Sequence, residues 1–84
     1  MTDSIHKLSS LAKTFKPGIY KHFKGDLYEA LLVGRSSEAR YQEFVVYRSL
    51  EKSYIWIRPI GMFFEHADRD GYRGPRFIYL RDKV

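Results

Sequence analysis

Gly18-Ile19-Tyr20-Lys21-His22-Phe23-Lys24-Gly25-Asp26-Leu27-Tyr28-Glu29-Ala30-Leu31-Leu32-Val33 sets the period of this chain. From Ile19 to Phe23 apolar and polar side chains alternate, the repeat of two that a half-buried strand requires. Lys24-Gly25-Asp26 supplies a tight turn, because glycine and aspartate tolerate the backbone angles a reversal needs. Leu27 to Val33 then reads as a second strand, buried on both faces at Leu31-Leu32-Val33. The spacing predicts a hairpin, and with it a mainly β fold.

Downstream the same signal repeats. Tyr41 to Ser49 is predicted as a third strand around Phe44-Val45-Val46-Tyr47, dense in β-branched and aromatic residues. Gly34 to Arg40 before it is polar and turn-like, and Glu51-Lys52-Ser53 after it is a turn. Tyr54-Ile55-Trp56-Ile57-Arg58 is a fourth strand ended by Pro59. Gly61 allows a bend before Met62-Phe63-Phe64-Glu65, residues 68–75 read as a loop, and Arg76 to Leu80 is the last strand. About five short strands joined by hairpin-length turns predict a small antiparallel barrel or strongly bent sheet. Upstream, residues 3–15 are predicted as a short helix capped by Asp3 or Ser4. Ile5, Leu8, Leu11, Ala12 and Phe15 share one face, and Pro17-Gly18 ends it. So short a helix is unstable alone in water, so its apolar face is expected to dock on the body of the domain.

The 84 residues allow one domain, divided here into residues 1–17, the helix and connection, and residues 18–84, the β body. Seven Tyr, six Phe and one Trp suit a small core, since large rings bury much area per residue. The chain has no Cys, which removes disulfides and thiolate metal sites and points to the cytoplasm. No apolar run reaches the length of a membrane span, and the N-terminus lacks a signal-peptide pattern. Fifteen Lys and Arg against ten Asp and Glu leave a net charge of +5, which favours an anionic partner such as nucleic acid.

Several pieces together resemble the bacterial family named domain of unknown function 1653. These are Gly18-Ile-Tyr-Lys-His-Phe-Lys-Gly25 with Tyr28, Val46-Tyr47-Arg48-Ser-Leu50, Trp56-Ile-Arg58-Pro59, Met62-Phe63-Phe-Glu65 and Arg76-Phe77. The resemblance runs from Gly18 to about Tyr79 and leaves the helix outside. It implies a compact SH3-like barrel and brings no established activity. The family pattern carries His at the place of Ser36 and Thr at the place of Ala39, so a role needing those groups is in question here.

Catalytic chemistry finds little support in the sequence. His6, His22 and His66 are scattered, without the spacing of a zinc site, and neither a metal nor another cofactor is expected. A nucleophilic Ser–His pair needs an orienting acid and an oxyanion hole, and Ser36-Ser37-Glu38, without a nucleophile-elbow pattern, reads more simply as a local turn. A minor alternative gathers Tyr20, His22, Ser37 and Glu38 into a pocket for a small ligand or reaction. The stronger pattern interleaves aromatic and basic residues. Alternation along the fourth strand sends Tyr54, Trp56 and Arg58 to one face and Ile55 and Ile57 to the other, predicted as core. Phe44-x-Val46-x-Arg48 and Tyr20-x-His22-x-Lys24 likewise end on a basic residue, and Arg76 opens the last strand. Two binding functions follow as expectations. Single-stranded nucleic acid would stack on Tyr54 and Trp56, with phosphates on Arg58, Arg48 and Lys24. Alternatively, an extended peptide of a partner protein would lie in an aromatic groove or on a sheet edge. A purely structural role competes with both, Trp56 being a core ring covered by Arg58, which Glu65 would pair.

Overall fold

The computed structural model describes residues 8–39 and 42–83. The proposed caps Asp3 and Ser4, His6 and the first residue of the third predicted strand, Tyr41, lie outside the described residues. The described elements run α1 (Ser10–Thr14), β1 (Gly18–His22), β2 (Leu27–Arg35), β3 (Glu43–Ser49), β4 (Ile55–Pro59), α2 (Ile60–Phe63), β5 (His66–Arg69), β6 (Tyr72–Pro75) and β7 (Phe77–Arg81). The class is mainly β, as the alternation indicates. Five strands form one antiparallel sheet in the order β4-β3-β2-β1-β7, and β5 pairs only with β6.

Register decides which side chains face inward. Tyr20 lies opposite Tyr28 and Tyr79, and His22 opposite Phe77. Ala30 pairs with Tyr47, and a bulge near Leu31 resets the phase so that Val33 faces Val45. Arg58 and Trp56 follow on β4, opposite Val45 and Tyr47. The inner face is therefore aromatic. Tyr20, Ala30, Val45, Tyr47 and Phe77 form one core cluster with Ala12 of α1 and Ile60 and Phe63 of α2. Phe63 is fully buried and stacks on Phe77 with centroids 4.3 Å apart and planes 5° from parallel.

The sheet curls around that ring pair. In a flat sheet β4 and β7 would lie about 19 Å apart, four strand spacings of roughly 4.8 Å. Instead the Arg58 guanidinium on β4 sits 5.9 Å from the Phe77 ring centroid on β7. Tyr47 on β3 likewise reaches within 5.6 Å of Phe77. The edges approach through side chains but share no ladder in the sheet order, so the sheet is strongly bent and not closed into a barrel.

Five local expectations are corrected. Leu32, expected inside β2, is 53% exposed, and Leu8 and Leu11, expected on the docked face of the helix, are exposed, so that Ala12 is the buried residue of α1. Residues 68–75 are a hairpin, turning at Asp70 and Gly71 with φ of 53° and 81°, the paired positive angles of a type I′ turn. Its strands are too short to show a repeat in sequence. The segment after Pro59 is a helical turn, which aims Ile60 and Phe63 into the core. Ile55 and Ile57 are not core: they remain 59% and 64% exposed on the outer face. The inner face is filled instead by rings from β1, β3, α2 and β7, which alternation within β4 alone does not reveal.

Helix α1 is capped by Ser9, whose hydroxyl accepts from the Ala12 N–H. The same hydroxyl donates to the buried Glu43 carboxylate, and the Ser9 N–H donates to its other oxygen at 2.9 Å. One residue thus starts the helix and ties it to β3. On the outer face Glu29 is buried under Arg48 (Nη2 at 2.7 Å) and Lys83 (Nζ at 3.3 Å). Burial works to raise the Glu29 pKa, but hydrogen bonds and charges from those two cations outweigh it and hold it below the carboxylate range.

Two outcomes test this arrangement. Phe63→Ala is expected to cost about 3–5 kcal/mol in urea unfolding, whereas Ile57→Ala costs under about 0.5 kcal/mol. Equal losses would mean that the inner and outer faces are wrongly assigned. Because its folded pKa lies below its unfolded value of about 4.3, Glu29 stabilises the fold above that pH. That contribution is lost as pH falls through the folded value. Glu29→Gln should therefore cost stability at pH 7 and much less at pH 3; a loss independent of pH would contradict the pairing.

Candidate binding groove

The turn after β1 and the turn after β3 lie at the same end of the sheet, because β2 joins both hairpins. Leu50 N–H donates to Leu27 O at 3.2 Å and locks the two turns together. This brings Asp26 from the first turn beside Glu51 and Lys52 from the second. Ser49 supports the second turn from below, its buried hydroxyl accepting from the Glu51 and Lys52 N–H groups. Tyr54 and Trp56 then rise from the start of β4. A cavity of about 110 Å³ opens beside them, lined by Asp26, Tyr28, Ser49, Glu51, Lys52, Tyr54 and Trp56. It adjoins a more open hollow of about 320 Å³ that shares Asp26 and Glu51.

Tyr54 and Trp56 are 60% and 49% exposed, and their rings meet at 87° with centroids 6.0 Å apart. They form two perpendicular walls. Behind them the aromatic cluster continues inward, with Tyr28 edge-on to Tyr47 at 5.5 Å and to Phe77 at 5.7 Å. Arg58 is spent on this inner layer: its Nε donates to the Tyr47 hydroxyl at 3.1 Å while its guanidinium covers Phe77. The expected covering of Trp56 by Arg58 and pairing with Glu65 do not occur. Glu65 pairs with Arg76 instead.

His22 is half-buried next to this layer, 5.0 Å from Phe77 and 6.4 Å from Tyr28 between ring centroids. Its Nδ1 accepts from the Lys24 N–H at 3.1 Å. Burial, then the charges of Arg76, Arg58 and Lys24, push its pKa down, with Asp26 opposing. The imidazole is therefore neutral near pH 7. The Tyr28 hydroxyl is pushed up by burial first and then by Asp26.

The remaining residues singled out from sequence fall elsewhere. Tyr20 is a core ring whose hydroxyl donates to Lys16 O at 2.7 Å. Lys24 is exposed in its turn. Arg48 points to the outer face, where Glu29 holds it, so it does not share a surface with Trp56. Ser37 and Glu38 stand beyond the far end of β2, on the order of 25 Å along the strand from Tyr28. There Ser36 Oγ accepts from the Glu38 and Ala39 N–H groups and Ser37 donates to Glu38. The pocket of Tyr20, His22, Ser37 and Glu38 is thus not assembled. Sequence reasoning missed Asp26, Tyr28, Ser49, Glu51 and Lys52, since three of them, Asp26, Glu51 and Lys52, belong to turns that meet only through hairpin stacking. Among the described residues no group of His, Asp and Glu could hold a metal ion, and no helix is long and apolar enough to cross a membrane.

Comparison with known proteins gives a family without a function. The family described as "Protein of unknown function (DUF1653)" matches residues 18–79. A crystal structure of a member of that family from Bordetella bronchiseptica is 33% identical, with a TM-score of 0.76. The match covers 87% of this chain and 95% of that one. No curated protein matches. Fold, sequence profile and solved relative agree, and the chain belongs to the DUF1653 family.

Proposed function

We propose that this domain is a peptide-binding module, taking an extended segment of a partner protein against β4 with one side chain seated in the cavity that Tyr54 and Trp56 help to line. The observation that carries this is the perpendicular, solvent-exposed ring pair standing over its own cavity. Exposed aromatic pairs of this kind act as anchors, since they offer large rigid area at low entropic cost. The strand beside them supports the same use. β4 is an edge of the sheet, bonded on one side to β3, and an extended peptide can add to such an edge through main-chain hydrogen bonds.

Nucleic acid association, the first of the two expectations from sequence, is the competing reading. Its cationic surface is thinner in three dimensions than in sequence. Arg48 is on the opposite face, Arg58 is engaged with Tyr47 and Phe77, and the groove carries Asp26 and Glu51 against Lys52 alone. The enclosed part of the groove, about 110 Å³, is below the roughly 300–1,000 Å³ of drug-sized sites and suits a single side chain, whereas a nucleotide would have to extend into the open hollow beside it.

A phage-displayed library of random peptides, selected in parallel on the protein and on Trp56→Ala, separates the two. The expected result is a recurring motif on the protein that is absent from Trp56→Ala, with synthetic motif peptide shifting the fluorescence of the sole tryptophan at both low and high salt. No motif, together with Trp56 quenching by single-stranded oligonucleotides that fades as salt rises, would overturn the proposal in favour of nucleic acid.

A further inference from the structure

The chemistry of the cavity goes further than its shape. We infer that the groove under Tyr54 and Trp56 is a cage for a methylated ammonium, the head group of a trimethylated lysine or a similar quaternary amine. The inference rests on the peptide-binding reading for the place of the site and adds the class of side chain it takes.

Three features on different elements converge on this ligand. The first is the box itself. Tyr54 and Trp56, with planes at 87° and centroids 6.0 Å apart, and Tyr28 give one small volume three aromatic lining residues, rings whose faces carry negative potential. A cation is attracted to such faces, and cages of this kind recognise quaternary ammonium groups. The second is charge. Asp26 and Glu51 line the same cavity from two different turns, and both are exposed with no ion pair described for either carboxylate. They would supply the long-range attraction that rings alone lack. Lys52 also lines the cavity, but it is exposed, and its flexible stem can carry the ammonium into solvent. The third is size. The cavity of about 110 Å³ holds a compact head group and excludes a large planar ligand.

Methylation matters because of hydration. A primary ammonium is strongly hydrated and gives up hydrogen bonds on entering an aromatic box. A quaternary ammonium has no N–H to satisfy, spreads its charge over methyl groups and packs them against ring carbons. The aliphatic alternative, a leucine or isoleucine anchor, would gain from the rings but nothing from Asp26 and Glu51.

The test uses choline and its uncharged isostere 3,3-dimethylbutan-1-ol alongside tetramethylammonium, each titrated into the full chain. Trp56 fluorescence and the Trp56 indole N–H resonance are followed. Saturable binding of both cations, with choline at least about tenfold tighter than the alcohol, is expected, as is loss of about tenfold in the Asp26→Asn, Glu51→Gln double variant. Because Trp56 is half exposed, Trp56→Ala should keep its urea midpoint and lose binding as judged by amide shifts. Equal binding of the uncharged isostere, or no saturable response to tetramethylammonium, overturns the inference. A selected peptide motif anchored by an uncharged residue also overturns it, while leaving peptide binding intact. Tetramethylammonium binding without any selected peptide supports the cage and counts against a peptide as its carrier.

Discussion

Phe63 stacked on Phe77 is the contact on which the rest of the molecule depends. A five-stranded sheet of short strands has one face to bury and little else to bury it against. The single helical turn after β4 solves this by placing one ring at the centre of the concave face. Once Phe63 is there, β7 must bring Phe77 to it, and β3 must bring Tyr47. The sheet bends because the rings are shared by strands that are not neighbours. Small domains bury a modest fraction of their surface, so a core of large rings in mutual edge and face contact is an economical answer.

That bend also builds the groove. Curling the sheet carries β4 toward β7 without joining them, and leaves an edge strand whose first residues are not covered by the core. Tyr54 and Trp56 occupy that position, so they are held by the sheet yet open to solvent. Arg58, one register step further along, is already inside the aromatic layer. The passage from structural to available side chains occurs within three alternating residues of a single strand. The two hairpin turns that supply Asp26 and Glu51 meet at this end because β2 is paired on both sides. Binding chemistry and folding constraint therefore share the same elements.

The sequence made the β1–β2 hairpin, β3, β4 and β7 legible, β1 and β4 through alternation and β2, β3 and β7 as short apolar runs bounded by turn residues. It hid the β5–β6 hairpin, whose strands of four residues give too short a pattern, although Asp70-Gly71 is the turn dipeptide such a hairpin favours. It also misled on β4. Isoleucine alternating with an aromatic and an arginine ordinarily turns inward, but here the inner volume is already filled by rings from β1, β3, α2 and β7. Tyr54 and Trp56 were found from their alternation with Arg58. Asp26, Ser49 and Glu51 were not, because their proximity to those rings arises from the stacking of two turns, a long-range event without a local signal. Arg48 shows the converse: in phase with an aromatic along its own strand, it faces away from the groove once the register with β2 and β4 is imposed.

The measurement closest to the central claim is an isotope-filtered NOE spectrum of the labelled protein with tetramethylammonium. The account predicts cross-peaks from the ligand methyl protons to the indole of Trp56 and the rings of Tyr54 and Tyr28. Cross-peaks confined to Ile55, Ile57 and Phe44 would place the ligand on the outer face of the sheet and contradict it.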